Sequence, residues 1–337
     1  MIQLAFGRVR VRLRERAGAA ATPGTDARRV LQLVLAGIWL LDGLLQYQPM
    51  MYSPMFGQMI GGTAVGNPGV IAGPISWDAA LVAQHLALLN TVFATIQLLL
   101  GLGIAYRPTL RAALAASVAW SLAVWWFGEG LGGVLNGGTN PVTGAPGAVI
   151  LYALLAVLLW PADRAGAVAP FAAARAVGAP AARLLWLVLW GSMAYFALTP
   201  ADRAPQALHD MIVGMAGGEP GWVTWLENQG AAVLAGHGLA ASIALAAALT
   251  VIAAGVFLPA PLARGALVLA LVVAAFIWVF GEAFGQILAG GATDPNSAPL
   301  LALLALAYWP PARPRARRPQ ADGPPAMAVG RPDEKFK

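Results

Sequence analysis

Long apolar runs, separated by short segments rich in Gly, Pro and Arg, dominate the chain from residue 30 to residue 311. Because about 20 consecutive apolar residues cross the hydrocarbon core of a bilayer as a helix, these runs predict about eight membrane-spanning helices. Their predicted bounds are 30–47, 79–105, 110–134, 147–161, 184–199, 230–257, 263–289 and 298–310. The pattern therefore predicts an all-α integral membrane protein that contacts the lipid bilayer.

The ends of the third and seventh predicted helices carry the same motif. Residues 127–138 read FGEGLGGVLNGG, and residues 280–291 read FGEAFGQILAGG. At nearly the same offset, other uncommon residue types also coincide: His85 with His237, Met59 with Met211, Pro68 with Pro220, Trp125 with Trp278, and Pro146 with Pro299. We therefore predict that the chain is an internal duplication.

Each predicted repeat contains four helices, the first within 30–161 and the second within 184–311. Since four is an even number, both repeats would insert the same way up, which predicts parallel repeats. After the first helix, each repeat has an amphipathic stretch, QPMMYSPMFGQMIGG at 48–62 and QALHDMIVGM at 206–215. These stretches predict an interfacial or re-entrant segment on the outer face of each repeat.

The composition supports an integral membrane protein and excludes several other classes of protein and site. Only 11% of the residues are charged and 59% are hydrophobic, whereas soluble domains carry about 25% charged residues. Cysteine is absent, which excludes disulfides, thiolate metal sites and dithiol chemistry within the chain. The net charge of +6 comes from arginines beside the predicted helices, so no nucleic-acid partner is expected.

The arginines also predict the orientation of the chain. They lie before the first predicted helix and after every even-numbered helix, which places them all on one side of the bilayer. These residues are Arg8 to Arg29, Arg107, Arg111, Arg164, Arg175, Arg183, Arg264 and Arg313 to Arg318. The opposite loops contain one arginine, Arg203. The positive-inside rule then predicts a plasma-membrane protein with both termini in the cytoplasm. Residues 1–29 would form a basic tail, 162–183 a cytoplasmic linker, and 312–337 a disordered tail.

The turns between the second and third helices of each repeat resemble those of a known family. They read LLLGLGIAYRPTLRAAL at 98–114 and AAGVFLPAPLARGALVL at 253–269. Together with the four-helix unit and its outer amphipathic segment, they resemble the DoxX/DoxD family, here as two fused units. The resemblance implies membrane redox work, as a subunit of a quinone-associated oxidoreductase with a protein partner. It implies no particular catalytic residue.

Five ionisable residues fall inside or at the outer ends of the predicted helices. Asp42, Glu129 and Glu282 are the candidate catalytic carboxyls, and His85 and His237 are the candidate cofactor ligands. Charged groups at membrane depth usually face a bundle interior or a wet cavity. The helix pairing predicts that His85 approaches Glu129 and that His237 approaches Glu282. Alternatively, each pair is only a hydrogen-bonded clamp between helices.

Three classes of function are compatible with these residues. In the first, a quinone head group is held near the carboxyls and flanked by Trp125 and Trp126, although these tryptophans would also suit an aromatic belt. In the second, His85 and His237 bind haem, or thioethers and imidazoles bind copper; packing alone would also explain the methionines. The candidate metal ligands are His85, His237, Met55, Met59, His209, Met211 and Met215.

The third class is a non-catalytic scaffold for an extracytoplasmic partner, or a small-solute transporter. The long outer loops carry little charge and would suit a partner surface. The chain contains no phosphate-binding loop, nucleophile triad or HExxH-type zinc motif, which argues against a hydrolase. If the protein belongs to an enzyme, the sequence favours a subunit over a self-contained catalyst.

Overall fold

The computed structural model describes residues 26–163 and 169–311, and within these ranges the chain is helical without a β-strand. The predicted all-α class is therefore confirmed. The first half contains α1 (Ala27–Leu45), α2 (Pro54–Gly62), α3 (Gly69–Gln84), α4 (Leu86–Ala105), α5 (Leu110–Phe127) and α6 (Ala148–Leu158). The second half contains α7 (Ala174–Val177), α8 (Ala179–Phe196), α9 (Ala207–Met215), α10 (Gly221–Leu234), α11 (Gly238–Gly255), α12 (Ala260–Phe276) and α13 (Ser297–Ala307). The predicted tails lie almost entirely outside the described residues.

Four helical segments in the described part of the chain are long and apolar enough to cross a membrane. They are Leu86–Ala105, Arg107–Phe127, Gly238–Gly255 and Ala260–Gly281. Each is at least 18 residues long, which approaches the ~20 residues that a bilayer core requires. A chain with four such helices has the architecture of a membrane protein.

Three of the predicted helices end or break where the apolar pattern continues. The predicted helix 79–105 is two helices, α3 and α4, which meet at His85 in a non-helical conformation (φ −126°, ψ 35°). The predicted helix 230–257 is likewise α10 and α11, with Gly236 at φ +76° between them. The predicted helix 110–134 ends at Phe127. Hydropathy alone did not reveal these breaks, because the residues on both sides of each are apolar.

The two amphipathic stretches after α1 and α8 form short helices, α2 and α9. The side chain of Ser53 accepts a hydrogen bond from the Met55 N–H and so caps α2, with Pro54 at its first position. Both residue types favour a helix start. A further helix follows each short one, α3 in the first half and α10 in the second. These additional helices were predicted only in part.

The centre of the molecule is formed by α6 and α13, which pack against each other. Most of their side chains are buried, so these short helices are apolar all round, as expected of helices enclosed by others. The Trp39 ring of α1 packs on Tyr152 of α6 with 4.3 Å between the ring centroids. In the second half, Trp186 of α8 packs on Tyr308 at 4.6 Å. One hydrophobic core thus joins both halves.

Small residues allow α1 and α4 to approach closely. A Cβ atom at Gly101 would lie 2.8 Å from the Ala36 carbonyl oxygen, and one at Gly43 would lie 2.7 Å from the Leu98 side chain. Such close approach of backbones is the usual role of glycine between membrane helices. Asp42, the neighbour of Gly43, is buried on the same helix.

Ion pairs gather at the end of the molecule where α1 begins and α6 ends. Arg175 bonds to Asp26 at 3.0 Å and to Asp163 at 2.9 Å, while Arg28 bonds to Asp163 at 3.1 Å. The segment predicted as a linker is therefore attached by Arg175 to the start of α1.

Candidate functional site

A cavity of about 630 Å³ is lined mostly by the first half of the chain, with Thr293, Asp294 and Asn296 from the second. Its size is typical of small-molecule sites, which occupy roughly 300–1,000 Å³. Four carboxyl side chains line it, together with amides and a larger number of aromatic rings. The carboxyl residues are Asp42, Asp78, Glu129 and Asp294, and the amide residues include Gln46 and Gln97. The aromatic residues are Trp39, Phe56, Trp77, Phe93, Trp120, Phe127 and Tyr152.

Asp42 is the most enclosed of the carboxyls. It lies on α1, is 1% exposed, and its Oδ1 has no hydrogen-bond partner. Gln46, one turn further along α1, is also buried and has an unpartnered Oε1. A buried polar atom without a partner costs about 1–3 kcal/mol, so these two side chains are suited to a ligand that supplies the missing hydrogen bonds.

Glu129 follows the end of α5 and reaches the first turn of α6. Its Oε1 accepts a hydrogen bond from the Val149 N–H at 3.3 Å, and its Oε2 has no partner. The side chain is half-buried because it lines the cavity. The apolar surroundings, together with the charge of Asp294, raise the pKa of Glu129 to about 8. Glu129 therefore carries its proton at neutral pH and can donate or exchange it.

A left-handed turn after the glutamate explains the glycines of the motif. Leu131 has φ +58° and Gly132 has φ +63°, a region that L side chains rarely adopt. A Cβ atom at Gly132 would lie 1.9 Å from the Pro146 carbonyl oxygen. The same oxygen accepts a hydrogen bond from the Trp125 indole at 2.8 Å. The motif thus fixes the loop between α5 and α6 around Glu129.

The second copy of the motif forms a closely related arrangement around Glu282. Its Oε1 accepts from the Ser297 N–H at 3.1 Å and from the Ser297 hydroxyl, and its Oε2 accepts from the Ala298 N–H at 3.1 Å. The Trp278 indole donates to the Pro295 carbonyl at 3.1 Å. Glu282 is completely buried, and its burial raises its pKa to about 7, against the effect of these hydrogen bonds. This carboxyl has partners on both oxygens and is absent from the cavity wall.

Asp294, from the loop before α13, is a cavity residue that the sequence did not single out. Its Oδ1 accepts from the Asn296 N–H at 2.7 Å, and its Oδ2 accepts from the Thr293 hydroxyl at 2.8 Å. A signal exists in the sequence, since GGATDP at 290–295 resembles GGTNP at 137–141. Asn140 makes the same local contact, because its Oδ1 accepts a hydrogen bond from the Val142 N–H at 2.6 Å.

Aromatic rings form much of the remaining wall. Phe93 and Trp120 pack with 5.5 Å between their centroids, and the Trp120 indole N–H has no acceptor. Trp77 is 62% exposed, so the cavity reaches the protein surface at α3. The predicted ring-flanking residues do not line the cavity: Trp125 bonds to Pro146 as described, and Trp126 stacks on Phe127 at 5.6 Å.

The predicted histidine–glutamate pairs do not form. His85 and His237 are exposed at the two helix breaks, and His237 bonds to the Ala235 carbonyl at 2.8 Å. Both glutamate side chains bond instead to backbone N–H groups at the starts of α6 and α13. The prediction failed because it assumed continuous helices through residues 85 and 237, and the breaks turn both imidazoles away from the helix packing.

The other candidate metal ligands are dispersed. Met55 and Met59 are exposed, His209 bonds to Asp210 at 2.9 Å, and the Met211 sulfur contacts the Asn140 amide at 3.1 Å. Met215 is half-buried on α9. Across residues 26–163 and 169–311, His, Asp and Glu side chains form no group of three or more that could hold a metal ion.

Two glutamates of the second half are buried outside the cavity without hydrogen-bond partners. Glu227 on α10 is completely buried and Glu219 is 9% exposed, and all four of their oxygens lack hydrogen-bond partners. The sequence did not single out this pair, because the predicted sixth helix began only at residue 230. They do not line the cavity.

Comparisons with known proteins give no relative: no family model, no curated protein and no solved structure matches this chain. The site is therefore interpreted from its own geometry. Four carboxyls line the cavity, and its lining contains no Arg, Lys or His. Such a cavity can hold a ligand that offers hydrogen-bond donors, accepts protons, or carries positive charge.

Proposed function

We propose that this protein is a membrane-embedded subunit of a redox system and binds a ligand of the quinone class in the cavity of its first half. The observation that carries the proposal is the buried Asp42 carboxyl, whose Oδ1 has no hydrogen-bond partner, within an aromatic-lined cavity. Aromatic walls suit a quinone ring. A protonatable carboxyl beside the ring supplies the proton that accompanies reduction, or receives the one released on oxidation.

The unpartnered groups of the cavity match both redox forms of such a ring. The carbonyl oxygens of a quinone accept hydrogen bonds, and the Trp120 indole N–H, which has no partner, is free to donate one. The hydroxyl groups of a quinol donate hydrogen bonds, which Asp42 and Gln46 are free to accept. A site that offers both donors and acceptors would let the ligand change redox state without leaving.

The proposal includes a topology of eight spans in the plasma membrane. The spans would be α1, α4, α5, α6, α8, α11, α12 and α13, arranged as two parallel repeats with both termini in the cytoplasm. The equivalent bonds of Trp125 to Pro146 and of Trp278 to Pro295 support the duplication. Arg28 on α1 and Arg175 on α7 support the orientation, because their ion pairs with Asp163 lie near the end of α6, opposite to Glu129. The cavity would then lie in the outer half of the bilayer.

The electrons would come from a protein partner. The chain has no cysteine for an iron–sulfur cluster or a dithiol, and its resemblance to the DoxX/DoxD family agrees with the role of a subunit. The proposed partner is a membrane or extracytoplasmic oxidoreductase component that docks on the outer face.

A binding measurement tests this proposal. The purified protein, in detergent or nanodiscs, is titrated with a short-chain quinone and then with its quinol, and tryptophan fluorescence is recorded, because Trp39, Trp77 and Trp120 line the cavity. We expect saturable quenching that weakens roughly tenfold in Asp42→Asn. Asp210→Asn, at an exposed position outside the cavity, is the matched control and should bind as the unaltered protein does. Quenching that does not saturate, or that is equal in all three proteins, would reject a quinone site.

Transport of a cationic solute is the second candidate function. It is favoured by one observation, that the cavity lining contains four acidic side chains and no basic one. An organic ammonium ion would then quench the same tryptophans, and proteoliposomes would accumulate it. Quenching by the ammonium ion but not by the quinone would select this candidate over the first.

A further inference from the structure

The two glutamates of the repeated motif differ in how fully their oxygens are used. Glu282 accepts hydrogen bonds on both oxygens, whereas Glu129 accepts one bond and leaves Oε2 without a partner. In both places the acceptor lies at the N-terminus of the following short helix. The Val149 N–H and the Ala298 N–H serve the two sites in the same way. The Ser297 N–H also donates to Glu282 Oε1, at 3.1 Å, so the backbone accounts for part of the difference.

The first residue of the following helix does explain it. Ser297 begins α13, and both its N–H and its hydroxyl donate to Glu282 Oε1. Ala148 begins α6 and has no side-chain donor. Both residues are buried, and Glu129 Oε2 is itself an enclosed atom without a hydrogen-bond partner.

We propose that the residue at this position decides which of the two glutamates remains free to react: Ala148 leaves the Glu129 carboxyl available to a proton or a ligand, and Ser297 holds the Glu282 carboxyl in a closed, structural role. Ala148 and Ser297 are thus positioning residues. The reactive carboxyl, Glu129, then belongs to the first half. The same turn in the second half, around Glu282, has a structural role only.

The surroundings of the two positions agree with this assignment. Ala148 and Glu129 both line the cavity, and Ser297 and Glu282 do not. Since Ala148 borders open space, a hydroxyl added there has room to reach Glu129 as the Ser297 hydroxyl reaches Glu282. The inference rests on the proposed function only in treating the cavity as a ligand site, because the difference in carboxyl reactivity needs no ligand.

An apolar carbodiimide, dicyclohexylcarbodiimide, tests the reactivity of each glutamate directly. A protonated carboxyl adds across one C=N bond: its oxygen bonds to the central carbon, and its proton moves to nitrogen. The O-acylisourea then rearranges to a stable N-acylurea, which peptide mass spectrometry assigns to Glu129 or Glu282. The full-length protein in detergent is labelled near neutral pH, without any added ligand.

We expect Glu129 to be labelled and Glu282 to be nearly unlabelled in the unaltered protein. Ala148→Ser should lower labelling of Glu129 roughly tenfold, because a donated hydrogen bond both occupies the carboxyl and favours its ionised form. Ser297→Ala should raise labelling of Glu282. Ala153→Ser, another buried alanine on α6 that does not line the cavity, is the control and should leave Glu129 labelling unchanged.

The same samples separate this inference from the quinone proposal. Equal labelling of the two glutamates in the unaltered protein would overturn the inference, and so would unchanged Glu129 labelling in a folded Ala148→Ser variant. Unchanged labelling of Glu282 in Ser297→Ala would overturn its second half. If the labelling switches as expected but no quinone binds, the proposed ligand is wrong and the positioning role stands. Elution profile and thermal midpoint establish that each variant is folded.

Discussion

Asp294 belongs to the second half of the chain, yet its carboxyl lines the same cavity as Asp42 of the first. The loop before α13 carries it there, and its own oxygens are held by Asn296 and Thr293. The cavity is consequently built by both halves, although most of its wall belongs to one. Asn140, in the matching loop of the first half, bonds across to Asp202 of the second at 2.7 Å. Because each of these two loops contacts the other half of the chain, we expect the properties of the cavity to depend on residues of the second half.

Asp294→Asn tests this dependence. The charge of Asp294 raises the pKa of Glu129, so removing that charge should lower the pKa of Glu129. The pH at which carbodiimide labelling of Glu129 is half-maximal should then move to lower pH. Ala292→Ser, in the same loop but absent from the cavity wall, should leave that pH unchanged. An unmoved midpoint in Asp294→Asn would mean that the two carboxyls do not interact.

Glu282→Gln and Glu129→Gln should affect stability unequally. A glutamine at 282 retains one acceptor and turns an NH₂ group toward a backbone N–H, leaving one buried donor without a partner. We expect a loss of about 1–3 kcal/mol in the free energy of unfolding. At 129 the glutamine oxygen can keep the single bond to Val149, so the thermal midpoint should change little. Equal losses in the two variants would assign a purely structural role to both glutamates.

Stability should fall as the pH rises through the neutral range. The pKa of Glu129 is raised from 4.5 to about 8, so between these values the folded protein holds a proton that the unfolded chain has lost. The slope of the unfolding free energy with pH follows the difference in bound protons. It is therefore negative from about pH 4.5 to about pH 8 and flat above. Glu282 adds a contribution of the same sign up to about pH 7.

Thermal midpoints measured across this pH range check the expectation. Glu129→Gln should reduce the slope most clearly between pH 7 and pH 8, where Glu129 titrates but Glu282 is already ionised. Asp210→Asn, an exposed position, should leave it unaltered. A stability that rises with pH would show that the Glu129 pKa is not raised in the folded protein.

The sequence predicted the helical class because burial in a bilayer or a core requires long apolar runs, and these are visible in one dimension. It also located Asp42 and Glu129, which are uncommon residue types within such runs. It did not predict the breaks at His85 and Gly236, because a change in backbone direction leaves hydropathy unaltered. The predicted pairing of His85 with Glu129 failed for that reason.

The remaining cavity residues depend on contacts between distant segments. Asp294 follows α12 in a loop, where an isolated aspartate is ordinary, and only the packing of α6 against α13 brings it to the cavity. Trp120 was similarly inconspicuous among twelve tryptophans, although its unpartnered indole faces the site. The sequence also did not predict the different hydrogen bonding of Glu129 and Glu282. The sequence offset that pairs Pro146 with Pro299 does not pair Ala148 with Ser297, although the structure places these two residues equivalently.

Gly132 provides the last test, because its conformation holds the loop that presents Glu129. Gly132→Ala would place a Cβ atom 1.9 Å from the Pro146 carbonyl oxygen at a positive φ. Backbone must shift to relieve the contact, so we expect a loss of several kcal/mol in stability, or failure to fold. Gly191→Ala is the matched control, since Gly191 lies within α8 with no atom near its Cβ position. That variant should gain about 0.5–1 kcal/mol, and thermal midpoints in detergent compare the two. A Gly132→Ala protein as stable as the unaltered one would mean that the turn after Glu129 is not fixed by its contact with Pro146.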